Sequence, residues 1–293
     1  VDQYVDYLVS LGEGPFSGMK VALDCANGCA SVTAPKIFER LGAECHLLHA
    51  EPNGLNVNQN CGSTHIGGLQ EYVKAHGCDL GFAFDGDADR LLAVDENGEI
   101  VDGDQIMGIV GVHMRDQGKL KKDTIVATVM SNLGFFKMGE REHLNLEQTK
   151  VGDRYVLERM REIGASLGGE QSGHIIFLDE NTTGDGLLSA LHLLQVMVDT
   201  GKPLSELAKV MEVLPQALVN AKVANHKKEK YMEYPEIAAA IGKLEEKFAG
   251  EGRVLIRPSG TEPLVRVMIE GKDQQVIQEE ARKLANLIQD IMF

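Results

Sequence analysis

Lys20-Val21-Ala22-Leu23-Asp24 is a short apolar run that passes through Cys25-Ala26-Asn27-Gly28 into a helical periodicity over residues 33–41. A strand, a turn and a helix in that order open a β-loop-α unit. The pattern then repeats. Residues 45–49 read as a second strand, 52–61 as an Asn-rich loop, 69–76 as a helix and Leu80-Gly81-Phe82-Ala83-Phe84 as a third strand. Units alternating in this way predict an α/β sheet. Residues 91–94, followed by Glu96-Asn97-Gly98, add a hairpin edge to an otherwise parallel sheet.

A second set of units follows. Residues 104–117 predict a helix, 124–129 a β-rich run and 154–163 a helix; a short strand near Ser166 leads through a glycine-rich turn to a β-like stretch at 174–177. A long helix over 186–198 stops at Gly201-Lys202-Pro203. Beyond it the texture changes: a strand at 213–218, the charged run Lys227-Lys228-Glu229-Lys230, a helix ending near Gly250, strands at 253–257 and 265–270, and an amphipathic helix over 273–291. The expected organisation is two mixed-sheet α/β domains, 1–100 and 101–210, followed by a smaller α+β C-terminal domain, 211–293. Pattern alone reveals no internal repeat, and the helices are too short for a coiled coil.

Composition narrows the function classes. The chain has 293 residues, 43% of them apolar, enough for about two cores without disulfide support. Its formal charge of -15 repels a polyanionic backbone, so nucleic acid is not the expected partner. The 5 cysteines are odd in number and lack CxxC pairing, which reads as reduced thiols in a cytoplasmic protein rather than a zinc or disulfide framework. No apolar stretch approaches the roughly 20 residues of a membrane span, so no membrane partner is expected. The chain opens on Val1, not Met, which leaves room for upstream sequence.

The sharpest chemical signal is Asp85-Gly86-Asp87-Ala88-Asp89-Arg90, directly after the apolar run 80–84. Alternate aspartates on a tight loop turn hard oxygen donors toward one cation, and the small residues between them let the backbone curl. Magnesium is the natural ion, with manganese the close chemical alternative. An EF-hand would need a longer loop with a distal Glu, flanked by helices, whereas β-like runs enter and leave this one. Arg90 is placed to orient a phosphoryl group or to neutralise the loop, and a solvated acidic turn is the plainer alternative.

Two polar turns complete the pattern. Gly168-Gly169-Glu170-Gln171-Ser172-Gly173-His174 joins a flexible backbone to an acceptor, an amide and a hydroxyl suited to sugar hydroxyls or an amine, although a β-turn alone would use the same glycines. His174 reads either as a proton-transfer group or as a structural histidine. Arg257-Pro258-Ser259-Gly260-Thr261-Glu262-Pro263, with Arg266 beyond, gathers guanidinium, hydroxyl and loop N–H donors that match a phosphate. Neither a GxxxxGK[ST] loop nor a well-placed GxGxxG occurs, so a nucleotide is not indicated. Lys150 offers a mobile cation before a helix that Asp153 could cap. Ser131-Asn132 and Ser63-Thr64-His65 are further turns that serve either a site or the local backbone.

DGDADR at 85–90, GGEQSGH at 168–174 and RPSGTEP at 257–263, together with CGSTH at 61–65 and DCANG at 24–28, resemble the alpha-D-phosphohexomutase family across nearly the whole chain. The similarity is to the second, third and fourth domains of a four-domain fold, in the bacterial branch that works on glucosamine phosphates. It implies reversible conversion of glucosamine 6-phosphate and glucosamine 1-phosphate, supplying amino-sugar nucleotides for peptidoglycan precursors. A phosphoserine and a sugar bisphosphate intermediate or activator would carry the phosphoryl group. By motif position, the resemblance assigns Asp85, Asp87 and Asp89 to Mg2+ and implies catalytic roles for Arg90 and Lys150. Glu170 and Ser172 would contact the sugar, Ser63 and His65 would lie near the substrate, and Arg257, Ser259, Gly260, Thr261 and Arg266 would hold the remote phosphate. The family's phosphoserine context, a Ser-His-Asn-Pro type segment, is not found among these residues, so turnover by this chain alone is not expected. Glucose or mannose phosphates, and a sugar-phosphate-binding role without turnover, stay open as alternatives, as does a homo-oligomer.

Overall fold

In the computed structural model, which describes all 293 residues, one compact unit comprises Val1–Ser131 and Phe135–Glu212. It begins with α1 (Asp2–Leu11), β1 (Lys20–Asp24), α2 (Ala30–Arg40), β2 (Glu44–Leu48), α3 (Gly67–His76), β3 (Leu80–Phe84), β4 (Leu91–Asp95) and β5 (Ile100–Val101). These strands form a sheet in the order β2-β1-β3-β4-β5. β1 is parallel to β2 and β3, whereas the β3–β4 and β4–β5 pairs are antiparallel, the latter as the turn at 96–98 predicts.

The chain continues through α4 (Gly103–Asp116), β6 (Thr124–Thr128), α5 (Leu133–Arg141), β7 (Asn145–Thr149), α6 (Asp153–Ile163), β8 (Leu167–Gly169), β9 (Ile175–Phe177), α7 (Gly186–Thr200) and α8 (Leu204–Leu207). The second sheet has the order β7-β6-β8-β9, with β6 parallel to both neighbours and β9 antiparallel to β8. Both sheets therefore share one plan: a first strand between two parallel neighbours, then an antiparallel strand.

Burial explains why these runs are strands. β3 and β6 are buried at every position, which requires near-continuous apolar sequence because both faces are covered. Val21, Leu23, Leu80, Phe82, Phe84, Ile125 and Ala127 enter one large core. The alternate residues Ala22, Ala83 and Val94 meet Leu69 and Val73 of α3, while Val126 meets Val156 and Met160 of α6. α7 (Gly186–Thr200) is buried on most of its surface, which suits its nearly uniform hydrophobicity.

Each sheet also has a switch point. The chain leaves β1 for β2 on one side and returns to β3 on the other, so the loops after β1 and β3 diverge and open a crevice at their carboxyl ends. β6 and β8 repeat the arrangement. The acidic loop follows β3, and the 170–174 turn follows β8.

The other unit comprises Asn132–Gly134 and Val213–Phe293. β10 (Gln216–Lys222), β11 (Arg253–Pro258) and β12 (Leu264–Glu270) form an antiparallel sheet in the order β10-β12-β11. α9 (Pro235–Phe248) and α10 (Gln274–Met292) supply its cover. Ile277, Ala281, Leu284, Ala285, Ile288 and Met292 form the buried stripe of α10 against Val265, Val267 and Ile269.

The expected strand at 213–218 is displaced to Gln216–Lys222. Pro215 has no N–H to give a ladder, and its carbonyl instead accepts from Gly271 N at 3.1 Å. α1, α5, β7 and α8 were not indicated by pattern. β7 has a single apolar residue, Leu146, and exists as an edge strand because β6 provides its ladder. No helix is long and apolar enough to cross a membrane.

Candidate functional site

The acidic loop leaves β3 through Asp85 and curls where Ala88 adopts φ +61°, a left-handed conformation that is costly for alanine. Its backbone is pinned on several sides. Cys29 N donates to Gly86 O at 2.9 Å, Ala88 N to Asp85 O at 3.1 Å, and Gly186 N to Ala88 O at 2.9 Å. Side chains on neighbouring glycines would obstruct it: a Cβ on Gly28 would lie 2.3 Å from Gly86 O, and one on Gly86 would lie 2.4 Å from Val57 Cγ1. The loop is thus held in shape by contacts that leave no room for larger residues.

Within it, Asp85 is half-buried and accepts from Arg90 N at 3.2 Å. Burial, reinforced by the neighbouring Asp89 carboxylate, pushes Asp85 above the usual carboxylate range. Asp87 is exposed, and Arg90 Nε lies 4.0 Å from Asp89 Oδ1. Asp85 and Asp89 crowd each other and Asp87 is exposed on the same loop, so the segment carries three hard-oxygen groups of the kind a divalent cation takes.

The 170–174 turn joins this loop. Arg90 and His174 form an antiparallel bridge, and Leu91 N donates to Gly173 O at 3.0 Å. Gly173 has φ +95°, and a Cβ there would lie 2.1 Å from Leu91 O, so only glycine permits the approach. His174 is buried, with Nε2 3.6 Å from Asp89 Oδ2 and Nδ1 without a hydrogen-bond partner. Glu170 Oε1 accepts from Gly152 N at 3.0 Å, which ties the turn to the segment carrying the exposed Lys150. Ser172 is exposed. Ser63 lies in a 3-10 turn whose Gly62 packs against Phe84 O at the end of β3, and His65 beside it is exposed.

In the other unit, Arg257 and Arg266 face each other directly across the β11–β12 ladder. Like charges opposed in this way are unfavourable unless an anion or carboxylate lies nearby. Glu262 Oε2 takes one Arg266 amine at 3.2 Å. Ser259 is buried, with Oγ accepting from Glu262 N at 3.2 Å, while Gly260 and Thr261 are exposed at the tip. A paired guanidinium surface beneath an exposed hydroxyl and loop amides suits a phosphate.

Sequence reasoning passed over two groupings. Asp102 caps α4 (Gly103–Asp116) in a reciprocal box with Gln105, and its second oxygen accepts from Gln171 Nε2 at 3.2 Å. The spacing Asp102-x-x-Gln105 carried that signal. The other is Asp24, His49 and Cys61, whose donor atoms all lie within 4.8 Å of one another. These residues are far apart in sequence, and no spacing rule would join them.

Three family profiles cover the chain in order. Phosphoglucomutase/phosphomannomutase alpha/beta/alpha domain II matches residues 2–98, domain III matches 102–214 and the C-terminal domain matches 218–287. The chain belongs to the phosphoglucomutase/phosphomannomutase family. Phosphoglucosamine mutase of Ruminiclostridium cellulolyticum is 58% identical over 289 residues, covering 99% of this chain and 64% of that protein. That of Acetivibrio thermocellus is also 58% identical, over 290 residues, covering 99% and 65% respectively. The chain thus spans somewhat less than two thirds of the length of these relatives. Among solved structures, Aspergillus fumigatus N-acetylphosphoglucosamine mutase in complex with GlcNAc-6P and magnesium superposes with a TM-score of 0.82 at 22% identity, covering 99% of this chain and 66% of that one. A Burkholderia thailandensis phosphoglucomutase/phosphomannomutase family protein gives 0.81 at 23% identity, covering 100% and 65%. At such identities the likeness to these structures is one of fold.

Proposed function

We propose that the intact protein interconverts glucosamine 6-phosphate and glucosamine 1-phosphate through a phosphoserine and a sugar bisphosphate. The observation that carries this reading is the 58% identity to a phosphoglucosamine mutase across 99% of the chain. The acidic loop held against the 170–174 turn gives it a physical basis. In this reading the chain divides near residues 100 and 210.

Asp85, Asp87 and Asp89 would hold Mg2+, which when bound polarises a phosphoryl oxygen and offsets charge in transfer. Arg90 would align the transferring group with its planar fork of donors. Glu170 would accept from the sugar's hydroxyl or amine, with Ser172 beside it, and Ser63 and His65 would border the substrate. Arg257, Arg266, Ser259, Gly260 and Thr261 would bind the phosphate that is not reacting. Lys150, exposed beside the segment tied to Glu170, would exchange a proton with the attacking or leaving oxygen. A bisphosphate that turns over must fit in two orientations, which favours donors that recognise phosphate over donors that read one sugar face.

None of these residues supplies a phosphoserine of the family type, so the 293-residue chain is expected to bind sugar phosphate without appreciable turnover. The second reading is phosphoglucomutase or phosphomannomutase activity, because metal and phosphate groups do not distinguish the substituent at sugar C2. Competition kinetics on the intact enzyme separate the two: a higher kcat/KM for glucosamine phosphates is expected, and a preference for glucose or mannose phosphates would overturn the assignment. Calorimetry with glucosamine 6-phosphate and Mg2+ on the 293-residue chain should show binding heat, and full turnover by that chain would refute the requirement for a separate donor.

A further inference from the structure

Asp24, at the carboxyl end of β1, is fully buried beneath the crevice mouth. Its Oδ1 accepts from Ala26 N at 3.0 Å and lies 3.1 Å from His49 Nδ1, and its Oδ2 accepts from Gly62 N at 2.9 Å. Cys61 is also fully buried, with Asn27 Nδ2 3.9 Å from its Sγ. Carboxylate oxygen, imidazole nitrogen and thiol sulfur all fall within 4.8 Å of one another. This is the donor mixture of a borderline-soft divalent cation, and it differs from the all-oxygen set of the acidic loop.

The backbone around the three donors is unusual. Ala26, Asn27 and His49 have φ of +53°, +49° and +47°, and Gly62 has +71°. Of these, Ala26 is a residue type that rarely adopts the left-handed region, and such a position persists where the surroundings over-determine it. The distortion brings the turn after β1, the turn after β2 and the turn before α3 to one point. His49 is 38% exposed on its side chain, and it borders a cleft with Asn27, Glu51, Asn53 and Asn56. The cleft gives an ion and a solvent ligand a way in.

We propose that Asp24, His49 and Cys61 form a binding site for one Zn2+-class cation, open at a fourth position to water. On binding, Cys61 releases its thiol proton to solvent and coordinates as thiolate, while His49 coordinates through Nδ1 with its proton on Nε2. Asp24 contributes one oxygen and keeps its backbone hydrogen bonds. A thiol ligates a metal only as its thiolate, so binding must release a proton. The site would brace the acidic loop, since Cys29 N, on the same turn, holds Gly86 O.

The test uses the full 293-residue chain titrated with Co2+ in the presence of excess Mg2+. One equivalent should bind with a thiolate-to-Co2+ charge-transfer band, displaced by Zn2+, lost in Cys61→Ser and His49→Gln, and kept in Cys25→Ser, Cys29→Ser and Asp87→Asn. Absence of the band in folded protein, its survival in Cys61→Ser, its loss in Cys29→Ser, or its suppression by Mg2+ would each overturn the proposal. His49→Gln, at an exposed position, decides the matter should Cys61→Ser fail to fold: a retained band in that variant also refutes the site.

Discussion

Arg257 and Arg266 illustrate what a single pair of residues discloses. Two guanidinium groups placed opposite each other on adjacent strands cost roughly 0.2–1 kcal/mol relative to neutral partners. Glu262 offsets part of that through its ion pair with Arg266. Arg266→Gln should therefore leave the ligand-free protein within about 0.5 kcal/mol of the parent. It should also abolish most of the rise in melting temperature that inorganic phosphate gives the parent. Differential scanning fluorimetry across a phosphate series checks both, and an undiminished rise would remove Arg266 from the anion site. The sequence placed both arginines near one loop, but their register across the ladder became visible only with the strands paired.

The elements show where local chemistry determines the site. Gly173 exists at φ +95° because the 170–174 turn must pass within touching distance of Leu91. Gly173→Ala should cost about 3 kcal/mol, combining a left-handed alanine with a backbone clash. Chemical denaturation should register that loss, and sugar-phosphate binding should weaken together with Mg2+ binding because one turn supports both loops. Unchanged affinity for both ligands would show that the bridge is incidental.

The cap of α4 makes a pH-dependent prediction. Burial raises Asp102 above its ordinary range, against the pull of the Gln105 amide and the Gln171 side chain. Between the unfolded and folded values the native state holds the extra proton, so stability falls as pH rises through that window and levels off above it. Asp102→Asn keeps an N-cap acceptor but has no proton to lose. Urea midpoints measured over an acidic pH series should decline more steeply for the parent than for the variant in that window. Equal slopes would mean that the carboxyl is not raised.

Strands with continuous or alternating apolar residues, such as β3 and β6, were legible from sequence because burial on both faces demands that composition. The acidic loop was legible because three aspartates fall within five residues directly after a buried strand. β7 was not, since an edge strand is specified by its neighbour more than by its own side chains. Nor were Asp24, His49 and Cys61, which meet through three unrelated turns. The shared plan of the two sheets is likewise invisible in residue patterns, because connection order leaves no periodic trace.

For the whole molecule, the distribution of cores determines how it should come apart. Both α/β sheets feed one hydrophobic cluster through α4 and α7, whereas Ile237, Val267, Leu284 and their neighbours form another. Calorimetry should resolve two transitions rather than three, with the smaller, belonging to the Val213–Phe293 unit, shifted by phosphate. Three transitions would show that residues 1–100 and 101–210 melt independently despite their common cluster.

Buried Glu270 receives Arg253 at 2.5 Å, Gln216 at 3.1 Å and the amide of Leu133 at 3.1 Å. Asn132 exchanges two hydrogen bonds with Leu214, at 2.9 and 3.0 Å. A peptide excised at Val213 would leave Asn132–Gly134, the remainder of this unit, behind. Its central acid would lose a donor and its first strand an anchor, so genetic dissection at the obvious seam should yield a less soluble, protease-sensitive product than one to which residues 132–134 are restored in trans.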